Sequence, residues 1–460
     1  MSMKIQFSLG NILSRYLSPA GIFVLSFAMV ILLGTIFLCL PFSEGSGYRI
    51  TFVDALFTST SAVCVTGLTV LDIGNNLSLA GQIVTLVLFQ VGGLGIITFS
   101  TVFFGLLGRS ISFSGRDIMQ ATFFYTPRRD FFAVAKWVLV STLIAEGVGA
   151  IFLFVRFIQD FSWGKALYQS IYHAVSAFNN CGFSLFPNSL IRYHSDIVVN
   201  LTMMGLIVLG GIGFIVQHEV ISWIKGFQKK LSIHTKIVLI TTTILILSGA
   251  ALFYLFEMNN VLKGESFQAS VLTSFFQSVT PRTCGFNTVD IGQLTNATIL
   301  ILVLFMFIGA SPGSTGGGIK TTSFALLMLM IWNRFKGRDG ISVFNRTIPR
   351  EISTRMIAII VASAFSVALI TMILLFAGGM AHNESPMESR HWLIEYLFET
   401  VSAFGTVGLS MGITAKMNDF QKIAIVLMMF AGRVGPLTLA FAWASKKRSI
   451  RYAEESVMVG

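Results

Sequence analysis

A chain of 460 residues and 50.4 kDa has the length of two to four soluble domains, but its composition excludes them. Only 12% of residues are charged against 54% hydrophobic, with 43 Phe and 19 Met, and a mean hydropathy of +0.77 is more apolar surface than one core can hide. A soluble enzyme and a disordered chain are both ruled out, and the solvent is lipid.

The net charge of +11 does not indicate nucleic acid, because the basic residues cluster between apolar stretches. They lie at Arg109 to Lys136, Lys225 to Lys236, Arg334 to Arg355 and Lys446 to Arg451, the pattern of cytoplasmic loops under the positive-inside rule. Cys39, Cys64, Cys181 and Cys284 show neither CxxC nor Cys/His spacing, so neither a disulfide framework nor a zinc site is indicated.

In chain order, residues 16–43, 73–108, 197–218, 237–256, 291–319 and 356–383 carry no Asp, Glu, Lys or Arg, and each can supply the roughly 20 helical residues that cross a bilayer. Two further candidates, near 134–157 and 420–445, enclose Glu146 and Arg433. Eight spans are predicted. The first run is too long for a signal-peptide core. With Lys4 and Arg15 before the first span and Lys446, Lys447, Arg448 and Arg451 after the last, both termini are expected in the cytoplasm.

Within each pair of spans a similar phrase recurs: Ser61-Ala-Val-Cys-Val-Thr-Gly67, Ser176-Ala-Phe-Asn-Asn-Cys-Gly182, Val279-Thr-Pro-Arg-Thr-Cys-Gly285 and Ser402-Ala-Phe-Gly-Thr-Val-Gly408. The terminal glycines are 115, 103 and 123 residues apart, which reads as four divergent copies of one unit. The predicted fold is all-α and polytopic, with repeats at 1–108, 109–225, 226–335 and 336–446 and a tail at 447–460. Each repeat is a helix, a re-entrant half-helix with its loop, and a second helix, set around one central pore.

The half-helices, near 51–63, 165–178, 266–279 and 391–403, are too short to cross. Non-helical backbone at membrane depth survives only where protein shields it or water reaches it. Four such loops around one axis supply stacked backbone carbonyls, with a glycine in each to permit the turn, and this is the construction of a cation filter. The negative C-terminal ends of the half-helices favour a dehydrated cation there. The candidate filter is Val65, Thr66 and Gly67; Asn180, Cys181 and Gly182; Thr283, Cys284 and Gly285; and Thr406, Val407 and Gly408.

These features closely resemble the Trk/Ktr/HKT superfamily of potassium transporters over nearly the whole chain. Thr280-Pro-Arg-Thr-Cys-Gly-Phe-Asn-Thr-Val-Asp290 and Ser402-Ala-Phe-Gly-Thr-Val-Gly-Leu-Ser410 are similar to the third and fourth filter regions of the bacterial Ktr membrane subunits (KtrB and its paralogue KtrD). The chain opens on the first repeat, without the extra amino-terminal helices typical of Trk subunits. The resemblance implies one potassium-selective pore per subunit, a homodimer in the lipid bilayer, and a cytoplasmic nucleotide-binding regulatory ring of the KtrA/KtrC kind. Nucleotide (ATP/ADP or an NAD-type ligand) is then expected on that partner and no cofactor on this chain.

The second spans of repeats one and two carry Gly92-Gly-Leu-Gly95 and Gly210-Gly-Ile-Gly213, whereas repeat three has Gly309, Ala310, Ser311, Pro312, Gly313, Ser314, Thr315, Gly316, Gly317 and Gly318. A helix cannot run through five glycines and a proline in ten residues, so the third inner helix is expected to break into a flexible loop beside the water path, resembling the family's intramembrane gating loop. Gly309-Ala-Ser311-Pro-Gly313 fits G-x-S-x-G but lacks the strand and helix of a nucleophile elbow. Gly313 to Thr321 approaches a phosphate-binding loop, with Ile319 displacing Lys320 by one residue.

Arg433 occupies in repeat four the place that the Gly-rich loop occupies in repeat three, and is expected to face the pore as the electrostatic part of the gate. Glu146 is expected to pair with a neighbouring helix, Arg282 to tie its half-helix to the loop from behind, and His173 to be packed. Asn179, Asn180 and Thr283 could offer side-chain oxygens to the pore. The expected function is passive potassium uptake across the plasma membrane under a cytoplasmic regulator, with no covalent chemistry. A sodium-permeable member of the HKT kind, in which Ser replaces the first filter glycine, is the alternative that Gly67 argues against. Four parallel copies argue against a secondary transporter of inverted repeats.

Overall fold

In the computed structural model the described residues are 19–45, 47–107, 131–338, 340–379, 386–436 and 438–439. The basic stretches 109–130 and 446–451, the amino-terminal Lys4 and Arg15, and the tail lie outside them.

Apart from one short hairpin, the regular structure of the described chain is helical. Helix α1 (Pro19–Leu38) leads to the short α2 (Phe52–Val63), a single turn α3 (Ile73–Asn76) and the long α4 (Leu79–Leu107). Helices α5 (Phe131–Phe157), α6 (Trp163–Phe178), α7 (Ile197–Gly211) and α8 (Phe214–Ile224) follow. Next come α9 (Ile233–Glu257), α10 (Phe267–Val279), α11 (Asn296–Phe307) and α12 (Thr321–Phe335). After an antiparallel hairpin of β1 (Ser342–Val343) and β2 (Arg346–Thr347) come α13 (Arg350–Gly379), α14 (Pro386–Gly405) and α15 (Asp419–Val434).

The helix starts are written in the sequence. Thr51, Asp196, Ser232, Ser266 and Thr295 each accept an amide of the first turn that follows, and Asn418 with Gln421 forms a reciprocal capping box. At a helix end in or near lipid these bonds satisfy donors that no water would reach.

Among the described residues, Ala135–Phe157, Ile233–Glu257 and Arg350–Gly378 are each long and apolar enough to cross a membrane, and a fourth span results if α7 and α8, bent by 103°, are one. Val24–Leu38, Phe52–Val63, Leu79–Gly95 and Asn296–Phe307 are shorter apolar helices. Apolar residues cover both sides of the long helices. In α13, Leu374 is fully buried while Phe365 and Phe376 are 68% and 71% exposed, as expected where the outer surface meets hydrocarbon rather than water.

The structure departs from the sequence reading at three points. The last half-helix is longer, because α14 runs from Pro386 to Gly405. The hairpin at 342–347 was not predicted. The second inner helix also breaks, at Ile212 and Gly213, where the sequence suggested a break only in the third. Gly213 takes φ +93, a conformation open to glycine at little cost.

The first and last half-helix units are fastened by an ion pair. Lys422 Nζ of α15 lies 2.7 Å from Asp54 Oδ1 of α2, with side chains 13% and 9% exposed, and Thr51 Oγ1 donates to the other carboxylate oxygen at 2.7 Å. Replacing Lys422 by Met strands a buried carboxylate and should cost about 3 kcal/mol. Thermal unfolding of the detergent-solubilised protein should show this loss for Lys422→Met and a smaller one for the Asp54→Asn/Lys422→Met double variant.

Candidate functional site

The four phrases share one backbone conformation. The residue two before each terminal glycine is left-handed, at φ 56 for Val65, 58 for Asn180, 82 for Thr283 and 49 for Thr406. The glycines follow at φ 88, 78, 85 and 91 for Gly67, Gly182, Gly285 and Gly408. Such a φ is costly for Val and Thr, at roughly 1–3 kcal/mol each, and persists only where the surroundings enforce it.

The glycines also close on one another. A Cβ on Gly67 would strike the carbonyl of Cys181, one on Gly182 that of Cys284, one on Gly285 that of Val407, and one on Gly408 that of Thr66. Each contact runs from a glycine to the residue before the next phrase's glycine, and the fourth returns to the first. The twelve candidate filter residues are therefore brought together in one ring, in chain order.

The polar residues of the phrases hold this backbone. Ser61 Oγ and Ser402 Oγ accept the amides of Gly67 and Gly408 at 3.0 and 3.1 Å. Ser176 Oγ donates to the carbonyl of Phe183 at 2.9 Å and Thr280 Oγ1 to that of Phe286 at 2.6 Å. A ring of neutral backbone, without a carboxylate in it, suits a large, weakly hydrated monovalent cation. No cluster of metal-ligating His, Cys, Asp or Glu occurs among the described residues.

Glycines on the inner helices let them approach. A Cβ on Gly92, Gly210 or Gly432 would strike the carbonyl of Val63, Phe178 or Phe404, each four residues before its own phrase's glycine.

The segment Gly309–Gly318 is irregular as expected, but it is tied down rather than slack. Its base is closed by Gly309 N donating to Ile319 O at 2.8 Å. One side fills the break in the second inner helix: Ser311 N and Thr315 N donate to the carbonyls of Gly211 and Gly210 at 3.0 and 3.2 Å, and Phe214 N donates to Gly313 O at 2.9 Å. The other side abuts the ring. Gly317 N donates to Thr406 Oγ1 at 2.9 Å, and a Cβ on Gly316 would strike Thr283 Oγ1.

Arg433 meets this loop. It is 4% exposed, and its two terminal nitrogens donate to the carbonyls of Thr315 and Gly92. Lys320 Nζ donates to the adjacent loop carbonyl, Gly316 O, at 2.7 Å. Two cations thus cap consecutive carbonyls of the loop, and among the described residues no carboxylate pairs with either. The sequence singles out the Arg as a buried charge, whereas the Lys reads there only as a misplaced phosphate-loop residue. Its register one residue before α12 was the signal available.

Glu146 pairs with a neighbouring helix, as expected, and reaches a phrase as well. Its carboxylate accepts Asn179 Nδ2 at 2.9 Å and Gln90 Nε2 at 3.3 Å. Asn179 is thereby engaged with α4 and α5. Asn180 and Thr283 face each other, side chain to side chain, at 3.2 Å. Arg282 is 7% exposed and its Nε has no hydrogen-bond partner. His173 is fully buried, though hydrogen-bonded to Ser184 Oγ at 3.1 Å rather than merely packed.

Comparison with known proteins agrees with this construction. The model of the TrkH family, described as cation transport protein, matches residues 18–452. The chain is 38% identical to Ktr system potassium uptake protein B of Vibrio alginolyticus over 95% of its length and 94% of that protein's. It is 36% identical to the potassium/sodium uptake protein NtpJ of Enterococcus hirae over 97% and 98%, and 34% identical to Ktr system potassium uptake protein D of Bacillus subtilis over 97% and 98%. The fold matches the crystal structure of the potassium transporter TrkH from Vibrio parahaemolyticus with a TM-score of 0.72 at 20% identity, covering 96% of this chain and 87% of that one. With the ring of glycines, the tethered loop and this full-length similarity together, the chain belongs to the TrkH cation transport family.

Proposed function

We propose that this protein is the ion-translocating subunit of a Ktr-type potassium uptake system, and that the ring of Gly67, Gly182, Gly285 and Gly408 is its selectivity filter. The closed cycle of glycine-to-carbonyl contacts carries this reading. In it, the four phrases belong to four repeats of helix, half-helix and helix around one pore, with eight full spans, the shorter apolar helices α1, α4 and α11 among them. Potassium sheds its water against the carbonyls of residues 65–67, 180–182, 283–285 and 406–408, and needs no side chain for this.

The loop Gly309–Gly318 and Arg433 form the gate. The loop blocks the path under the filter, pressed against Thr283 and Thr406, while Arg433 and Lys320 add positive charge where the dielectric is low. Opening requires breaking the bonds from Arg433 and Lys320 to Thr315 and Gly316, and from Gly317 to Thr406, so closure is a bonded state that a regulator must pull apart. The subunit is placed in the plasma membrane as a homodimer with both termini in the cytoplasm. A nucleotide-binding ring docks beneath it, on the exposed basic hairpin around Arg338, Arg346 and Arg350. The relative named as a potassium/sodium uptake protein favours a second reading, in which sodium also permeates.

Rubidium uptake into proteoliposomes, with and without competing sodium, tests the function directly: saturable uptake resistant to sodium is expected, and its absence in reconstituted dimer refutes the reading. Gly67→Ser forces a Cβ into the Cys181 carbonyl at a left-handed φ, and should lower potassium-over-sodium discrimination about tenfold, before expression falls.

Arg433→Ala, or deletion of Gly316 to Gly318, should raise regulator-free rubidium flux on the order of tenfold, the worth of one charge-assisted hydrogen bond, with selectivity unchanged. Flux measured on monodisperse dimer that stays fully regulator-dependent in both variants places the barrier elsewhere. Reversing the charges of Arg338, Arg346 and Arg350 should abolish co-purification with the regulatory ring at physiological salt.

A further inference from the structure

Two side chains with no exposed surface, His173 in α6 and Glu399 in α14, are given no role in the function proposed above. Each stands nine residues before its filter glycine, Gly182 or Gly408. What they touch corresponds position by position. Ser184, two past Gly182, has its Oγ 3.1 Å from His173 Nε2, and the next residue, Leu185, donates its amide to the same nitrogen at 3.4 Å. Ser410, two past Gly408, donates its Oγ to Glu399 Oε1 at 2.5 Å, and the next residue, Met411, donates its amide to the same oxygen at 3.1 Å. Each serine oxygen in turn accepts the amide two residues on, from Phe186 at 3.0 Å and from Gly412 at 2.9 Å.

An imidazole and a carboxylate thus make the same pair of contacts. His173 Nδ1 lies 2.8 Å from the carbonyl of Gln169, so the proton sits there and Nε2 is left as the acceptor. Glu399 uses its second oxygen to accept Thr414 Oγ1 at 2.8 Å. The other two phrases lack this contact. The matching residue is Thr58 in the first, whose Oγ1 has no partner, and Phe276 in the third. Because the glycine contacts run in chain order around the ring, the two braced loops stand opposite each other.

The two braces differ in charge. His173 is enclosed by aromatic rings, stacked on Phe186 at 4.5 Å and 6.0 Å from both Phe157 and Phe286. The bonds to Glu399 come from two hydroxyls and an amide, and among the described residues no Lys or Arg pairs with it. A buried carboxylate without a protein counter-ion is costly, and a cation held in the ring that this loop closes would offset that cost.

We propose that His173 and Glu399 are positioning residues for the outer end of the filter, fixing the exits of the second and fourth loops, and that the charge of Glu399 also favours potassium at the outer site. The proposal rests on the filter reading given above. In rubidium uptake, Glu399→Gln should raise the external KM about three- to tenfold with Vmax held within about twofold, the pattern of one lost hydrogen bond at an entry site. His173→Phe should raise KM and sodium inhibition together, and His173→Gln, which returns an acceptor, should recover part of both.

Ser184→Ala and Ser410→Ala remove the other half of each contact from the partly exposed side, and decide the matter if a half-helix variant does not fold. Gly182→Ala in the same assay tests the filter itself. Wild-type KM in the Glu399, His173 and serine variants, with or without lowered thermal stability, overturns the brace while a selectivity change in Gly182→Ala leaves the filter standing. Wild-type selectivity in Gly182→Ala overturns the filter reading.

Discussion

Every backbone amide and carbonyl at bilayer depth needs a partner within the protein, and the irregular parts of this chain are arranged by that requirement. The second and third inner helices are broken, and each of these two breaks is satisfied largely by the other. The carbonyls of Gly211 and Gly210 take the amides of Ser311 and Thr315 respectively, and Gly313 O takes the first amide of α8. What the helices still leave open is met by two long cations, Arg433 on Thr315 O and Gly92 O and Lys320 on Gly316 O. Neither break would be tolerable alone in lipid. The bonds that make the broken backbone permissible also hold the loop against the ring of phrases, so the gating role proposed for it starts from a closed arrangement.

The requirement explains what was legible in the sequence. Glycines at matched positions in four phrases announce four turns of one kind, because only glycine enters such a turn at little cost. The ring at Gly67, Gly182, Gly285 and Gly408 followed from their spacing. Five glycines and a proline within ten residues announce broken helix with equal clarity, and Arg433 stands out as a charge inside an apolar stretch. Each signal is local, a residue type in the wrong solvent or the wrong helix.

What stayed hidden is relational. The break at Gly213 sits in a Gly-Gly-Ile-Gly string that also suits close helix packing, and only the amides of the third inner helix make it affordable as a bend. Lys320 reads as a lone cation one residue before a helix until the loop carbonyl it caps, Gly316 O, is placed. Glu399 and His173 share a register, nine before the glycine, but share no chemistry, so no repeat in residue type marks them. Their likeness lies in being acceptors, which appears once the serine two past the glycine is seen to be their partner.

Divergence among the four phrases has a use that identity would forbid. In a ring of four identical subunits, any loop reaching the axis under the filter would be met by three copies of itself, and one cation facing it would become four. Here a single chain carries all four phrases, so one loop alone, Gly309–Gly318, abuts the ring at Thr406 and one arginine, Arg433, bonds to it. The same freedom lets two opposite loops carry side-chain braces while the remaining two rely on other contacts: the third leans on the second, through Asn287 N donating to Ser189 Oγ at 3.1 Å and Leu190 N donating to Asn287 O at 3.0 Å. The ring is uneven as a consequence: its four walls differ in their bracing contacts, and in the filter role proposed for it an ion would meet carbonyls held with unequal stiffness from side to side.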